Sequence, residues 1–143
     1  MKRILGISIA LVSLQFAAYA QDEINGYWLP EEGKSIIEIY TNDEGNQNGK
    51  IAWLEKPTNR KGEPHTDRMN PDKALRDRPL LGLNMLNDLI HKDGTWSGKL
   101  YTPKKGKTLD VALSLVNEDQ LKVTVSFFGM TRNQFWTRTS LPE

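Results

Sequence analysis

Two segments decide the fold: TLDVALSLV at residues 108–116 and QLKVTVSFF at residues 120–128, parted only by Asn117-Glu118-Asp119. In the first, Leu109, Val111, Leu113 and Leu115 fall on one side of an extended chain; in the second, Leu121, Val123, Val125 and Phe127 do. Asp110, Ser114, Lys122, Thr124 and Ser126 take the opposite side. Side chains of a strand alternate with period two, so each segment reads as a strand with one buried and one wet face. A short polar link between them makes an antiparallel pair.

The same rhythm extends in both directions. Short alternating segments at residues 25–29, 35–41, 49–55, 95–102 and 133–139 are separated by Gly, Asn, Asp, Lys and Pro clusters. Residues 80–90 supply one more element. Leu80, Leu81 and Leu83 after Pro79 favour a strand, whereas Leu83, Leu86, Leu89 and Ile90 also fit a helical face; the reading adopted is strand first, then a turn. The sum is an all-β chain of about eight strands joined mostly by short turns. Closing them into an antiparallel up-and-down barrel removes both exposed edges, with a sandwich as the alternative.

Residues 56–79 break this pattern. They are dense in charge and proline, and Met69, Ala74 and Leu75 are nearly their whole apolar content. Connections longer than about 15 residues are uncommon in compact domains and tend to be functional or disordered. The expectation is an elaborated loop over one end of the barrel.

The first twenty of the 143 residues read as an export leader: Lys2 and Arg3, an apolar centre from Ile4 to Phe16, and Ala18-Tyr19-Ala20 as a small-x-small cleavage site before Gln21. The apolar centre is too short to span a bilayer. Residues 21–143 are then a single domain with no membrane span, in the periplasm or secreted. The full chain carries a formal charge of +1; without Lys2 and Arg3, seventeen Lys and Arg face eighteen Asp and Glu, a net charge of −1. Such a chain is not built to neutralise nucleic-acid phosphates. It contains no cysteine, so it holds no disulfide, no thiolate metal site and no lipid-modified Cys.

Gly26-Tyr27-Trp28 opens the domain and Trp136-Thr137-Arg138 nearly closes it. First and last strands are neighbours in a closed barrel, so Trp28 reads as a cap on one end, with the Arg138 guanidinium across its indole as a cation–π contact. This pair resembles the opening and closing signature of lipocalin and calycin barrels. Further segments widen the likeness: Gly49-Lys50-Ile51-Ala52-Trp53-Leu54, Asp67-Arg68-Met69-Asn70-Pro71-Asp72, Arg76-Asp77-Arg78-Pro79-Leu80-Leu81-Gly82-Leu83, and Trp96-Ser97-Gly98-Lys99-Leu100-Tyr101-Thr102-Pro103 with Gly106-Lys107. Together they resemble a family of small exported bacterial proteins of unknown function with lipocalin-like folds. The chain departs from that pattern at Thr102 and at Thr108-Leu109. The resemblance implies fold and export and supplies no reaction.

Each chemically loaded segment has two readings. His65, Asp67, Asn70 and Asp72 offer oxygens and an imidazole that calcium would suit. Their spacing better fits a helix start, with Asn70 as N-cap, Pro71 at the first position and Asp72 on the positive end. Arg76 and Arg78 can clamp a carboxylate or phosphate at the barrel mouth, or pair with Asp67, Asp72 and Asp77. Trp53, Trp96, Phe127 and Phe135 are the candidates to line an apolar interior, against a barrel simply filled by side chains.

Catalytic signatures are missing: no HExxH, GxSxG, P-loop or dinucleotide fingerprint occurs, and both histidines, His65 and His91, are expected in loops. No cofactor and no metal are implied. The leading expectation is a non-enzymatic carrier of a small apolar or amphipathic ligand, with Arg76 and Arg78 at its polar end. The first rival is a cell-envelope interaction module with a filled barrel that shows its charged loop to another protein. The second is a hydrolase using Asp67, Asp72 and His65.

Overall fold

A computed structural model describes residues 20–143. The leader read over residues 1–20 lies outside them except for Ala20. Eight strands follow in order: β1 Gly26–Leu29, β2 Ser35–Thr41, β3 Gln47–Leu54, β4 Asn84–Lys92, β5 Thr95–Thr102, β6 Lys107–Asn117, β7 Gln120–Phe127 and β8 Met130–Thr139. Each pairs antiparallel with its sequence neighbour, and β8 pairs back onto β1 through Tyr27–Thr139, Trp28–Arg138 and Leu29–Thr137. The result is a closed up-and-down barrel with no free edge. Among the described residues no helix is long and apolar enough to cross a membrane.

The barrel interior is built by the alternation read from the sequence. Leu113 lies opposite Val123 and Trp96, and Trp28 opposite Ile37, so these side chains share the inner face and are fully buried or nearly so. One end is plugged by a 3₁₀ turn at Gln21–Ile24, whose Ile24 is fully buried. Two indoles reach this plug: Trp28 Nε1 donates to the Ile24 carbonyl and Trp96 Nε1 to the Gln21 carbonyl, each at 2.8 Å.

Three expectations are corrected. The order within residues 80–90 is reversed, a turn preceding the strand. Gly82 at φ +87 breaks the extended run, and it donates to the Ile51 carbonyl while Leu83 accepts from Ile51, tying this turn to β3. The helical spacing of Leu86, Leu89 and Ile90 is the mark of a bulge. Asp88 adopts φ +51 and the β4–β5 register shifts there, so Leu86 and Leu89, three apart, are both buried. His91 accordingly sits on β4 and stacks on Trp96, ring centroids 4.5 Å apart.

The 56–79 loop is the third. It folds back beside the rim instead of crossing the opening, with isolated bridges at Thr58–Pro64 and Thr66–Pro79 giving it internal structure. None of its residues lines the cavity at the open end.

Candidate functional site

The two ends of the barrel differ in kind. At the plugged end, the Arg138 guanidinium lies 4.3 Å from the Trp28 ring centroid. It also donates to three carbonyls, those of Asn25 and Glu23 at 2.9 Å and Glu118 at 2.6 Å. One side chain thus ties the 3₁₀ plug to the β6–β7 turn. Gly26 makes the approach feasible: a Cβ there would stand 2.9 Å from Arg138 Nη1, and its φ of +129 suits glycine.

The other end is open. A cavity of about 450 Å³ is walled on the apolar side by Leu100, Leu109, Val125, Phe127 and Met130. This lies within the usual range for small-molecule sites, about 300–1,000 Å³. Thr102, Lys105, Arg132 and Gln134 bring polar groups, and Glu31 and Glu32 close the rim from the β1–β2 loop. Glu32 is engaged with Lys104 at 3.4 Å, and Glu31 accepts from the Phe135 amide at 2.8 Å. Gln134 Oε1 accepts from Trp136 Nε1. Among the described residues Arg132 makes no ion pair. Thr102 Oγ1 is a buried polar atom with no hydrogen-bond partner among the described residues. An orphaned hydroxyl of this kind carries a desolvation cost unless something fills its bonding capacity.

Asp67, Asn70, Arg78 and Tyr101 form a clasp on the outside of the same rim. Tyr101 lies between the inward-facing Leu100 and Thr102, so its ring projects outward, where the loop covers it. The fully buried Asp67 carboxylate accepts from Tyr101 Oη at 2.5 Å, Asn70 Nδ2 at 2.8 Å, and Arg78 Nε and Nη2 at 2.9 Å each. Burial pushes the Asp67 carboxyl up, but the hydrogen bonds from Tyr101, Asn70 and Arg78 and the Arg78 charge outweigh it, and the group titrates below its ordinary value. Burial first, then the neighbouring carboxylate, push the Tyr101 phenol up, keeping it a neutral donor. Asp67 is thus held by donors from the loop and from β5, and the segment acts as a structural clasp between them.

The clasp seats Met69 against the β5–β6 turn. A Cβ on Gly106 would stand 1.9 Å from the Met69 carbonyl oxygen, at φ +62. Gly106→Ala is therefore expected to destabilise the protein by about 2–3 kcal/mol through combined overlap and backbone strain, read as a lowered chemical-denaturation midpoint. An unchanged midpoint would show that the loop does not rest on this turn.

The family model described as "Uncharacterized protein conserved in bacteria (DUF2147)" matches residues 26–138, from the glycine that admits Arg138 to Arg138 itself. The chain belongs to this family. Among solved structures, this DUF2147 chain is similar to protein HP1028 from the human pathogen Helicobacter pylori, described as belonging to the lipocalin family. The TM-score is 0.67 at 26% identity, covering 81% of this chain and 82% of that one. The fold is lipocalin-like. A search of the curated proteins finds no match.

The residues singled out in this DUF2147 sequence scatter over the barrel. Trp28 and Arg138 meet at the plugged end. Trp96 is fully buried there, far down the barrel from the mouth strands' Phe127 and Met130. Phe127 alone of the four aromatic candidates lines the mouth. Trp53 is only partly buried and stands outside the core, beyond a register shift in the β2–β3 pairing. Phe135 points outward at 39% exposure, because its neighbour Trp136 takes the inner face.

Arg76 and Arg78 do not reach the mouth. Arg78 is committed to Asp67, and Arg76 Nε donates to the Asn70 carbonyl at 2.8 Å. The helical cap is displaced by two residues: Asp72 caps a single 3₁₀ turn at Lys73–Leu75 by accepting from Ala74 N, while the buried Asn70 accepts from the Asp72 amide. Asp72 and His65 are exposed, unlike Asp67. Arg132, Lys105 and Thr102 escape the sequence reading. Arg132 had a legible signal: it shares parity with Gln134 and Trp136, and β8 begins at Met130 rather than at residue 133. Starting the strand three residues late left Arg132 in the turn.

Proposed function

We propose that this chain is an exported carrier that takes one small amphipathic molecule with an anionic head into the mouth of its barrel. The observation that carries this reading is the mouth cavity of about 450 Å³, in which apolar walls meet Arg132 and the Thr102 hydroxyl, neither of them paired among the described residues. The apolar part of the ligand lies against Leu100, Leu109, Val125 and Phe127. A carboxylate or phosphate sits between the Arg132 guanidinium fork and the Lys105 ammonium, and accepts from Thr102 Oγ. The lower barrel is filled with side chains, which limits the ligand to the upper half. The lipocalin-like fold supports small-ligand binding in general. Export rests on the leader read at residues 1–20, and is tested by whether the full chain, expressed in a bacterium, is recovered from the periplasm cut after Ala20.

Native mass spectrometry of protein purified from a bacterial host, followed by denaturation and identification of what is released, tests binding. A stoichiometric added mass of an anionic amphiphile is expected. Arg132→Ala is expected to weaken binding of a medium-chain fatty acid about tenfold, the loss of one charge-assisted hydrogen bond at a partly exposed site. Protein that carries nothing, and gains nothing from a panel of fatty acids, lysophospholipids and sterols, would defeat the carrier reading.

A further inference from the structure

The β7–β8 hairpin tip is constructed against the interests of folding. Phe127 pairs with Met130, leaving Phe128-Gly129 as a two-residue loop, with Phe128 at φ +49 and Gly129 at φ +76. Positive φ at both positions is a type I′ turn, whose first position suits Asn, Asp or Gly. A bulky aromatic in this conformation is a strained choice. Its ring gains no burial in return, being 88% exposed, with Met130 beside it at 72% and Phe127 in edge contact with it. Neither turn geometry nor solubility accounts for Phe at residue 128.

Beside this apolar tip stands the β5–β6 turn, Pro103-Lys104-Lys105-Gly106-Lys107. The two are in contact, Lys107 Nζ lying 5.3 Å from the Phe127 ring centroid. Arg132 adds a fourth cation at the same rim, and Met69, seated against Gly106, brings a further exposed apolar side chain next to Arg68. Two carboxylates share this rim, Glu32 in a loose exposed pair with Lys104 and Glu31 accepting from the Phe135 amide, while Asp110 near the tip pairs with Lys99; the four rim cations therefore outnumber Glu31 and Glu32. The rim is therefore basic and apolar together, on a domain whose net charge without Lys2 and Arg3 is −1. Charge is concentrated at the opening while the remainder of the surface is net acidic.

We infer that this rim docks on a bilayer surface bearing anionic headgroups, with Phe128 and Met130 entering the interface and Lys104, Lys105 and Lys107 meeting lipid phosphates. A single exposed aromatic confers weak adsorption, and each nearby Lys strengthens it through the negative surface potential. The orientation follows from the fold, because the same strands that carry the tip frame the cavity. A docked barrel faces its opening to the lipid. This inference stands on the rim's own chemistry and does not depend on what the cavity holds.

Vesicle co-sedimentation of purified protein, expressed as the full chain, tests it with phosphatidylcholine vesicles and with vesicles containing one-third phosphatidylglycerol. Salt-sensitive binding to the anionic vesicles alone is expected. Phe128→Asn suits the type I′ turn, so its melting temperature should be unchanged or higher, and its vesicle affinity should fall about tenfold. The Lys104→Gln, Lys107→Gln pair, which spares the residues of the cavity, should reduce affinity roughly twentyfold. The inference is overturned if the wild type does not bind anionic vesicles, if it binds neutral vesicles equally, or if the folded Phe128→Asn protein binds as the wild type does. A wild-type dimer that Phe128→Asn makes monomeric, without vesicle binding, would assign the tip to a second copy of the chain and overturn it too. Retained fatty-acid binding in Phe128→Asn separates failure of docking from failure of the carrier reading.

Discussion

Asp67→Ala is expected to cost about 3 kcal/mol and to free the 56–79 loop from the barrel wall. The substitution removes one acceptor and leaves Tyr101 Oη, Asn70 Nδ2 and the Arg78 guanidinium without it. Breaking a buried ion pair by deleting one partner costs about 3–5 kcal/mol. The lower end applies because the Arg78 side chain is partly exposed and can turn to water. The measurement is chemical denaturation together with amide exchange: the midpoint should fall, and exchange of residues 57–80 should accelerate before that of the strand ladders. The pH dependence has a definite sign. The Asp67 carboxyl titrates lower in the folded state than its ordinary 3.8, so as pH falls the unfolded chain takes up this proton first. The contribution of Asp67 is therefore fully present above about pH 5 and declines as pH drops through 3.8 towards the depressed folded value. Asp67→Ala should flatten the stability profile in that acid range. A variant that matched wild type in stability and in acid response would refute the clasp.

The second large effect is expected for Trp28→Ala, about 3–5 kcal/mol from loss of a fully buried indole. The figure belongs at the upper end, since three further interactions go with it. Trp28 Nε1 no longer holds the Ile24 carbonyl, the plug loses the surface it packs on, and the Arg138 guanidinium loses the ring 4.3 Å away. That cation–π contact is worth about 0.5–2 kcal/mol. Arg138→Lys serves as the companion. A point-charge ammonium retains the charge over the ring but cannot fork to the carbonyls of Glu23, Asn25 and Glu118, so an intermediate loss is expected. Thermal and denaturant unfolding read both; full stability in Trp28→Ala would place the seal of this end elsewhere.

The strands were legible because each segment records its own inside and outside. Leu121, Val123 and Val125 alternate with Lys122 and Thr124, and the barrel places them as that alternation requires. Trp28 and Arg138 were legible as partners for a related reason: closing eight sequential strands makes the first and last adjacent wherever the chain closes. Legibility failed where a local irregularity shifts the period. The bulge at Asp88 lends β4 a helix-like spacing, and Gly82 ends an apolar run that otherwise reads as a strand.

The candidate site was less legible, because a charged side chain's role depends on which partner reaches it first. Arg78 and Arg132 look alike in the sequence. Arg78 lies eleven residues from Asp67, which captures it beneath Tyr101, so it cannot serve a ligand at the mouth. Among the described residues Arg132 makes no ion pair, because the two acids that share its cavity are held by other groups, Glu32 by Lys104 and Glu31 by the Phe135 amide. Phe135 and Phe127 likewise differ only by parity, and one turns outward while the other frames the cavity.

By itself, then, the sequence determined the class of fold, the number of strands, the closure between the first and last of them and the existence of one long charged excursion. Each of these follows from backbone periodicity and turn chemistry, which act over a few residues. The tertiary structure alone decided which end is sealed, where the 56–79 loop lies and which cations remain free at the opening. Those outcomes rest on contacts between residues tens of positions apart, such as Tyr101 with Asp67 and Trp96 with Gln21. Competition among such distant partners is settled only when the barrel closes.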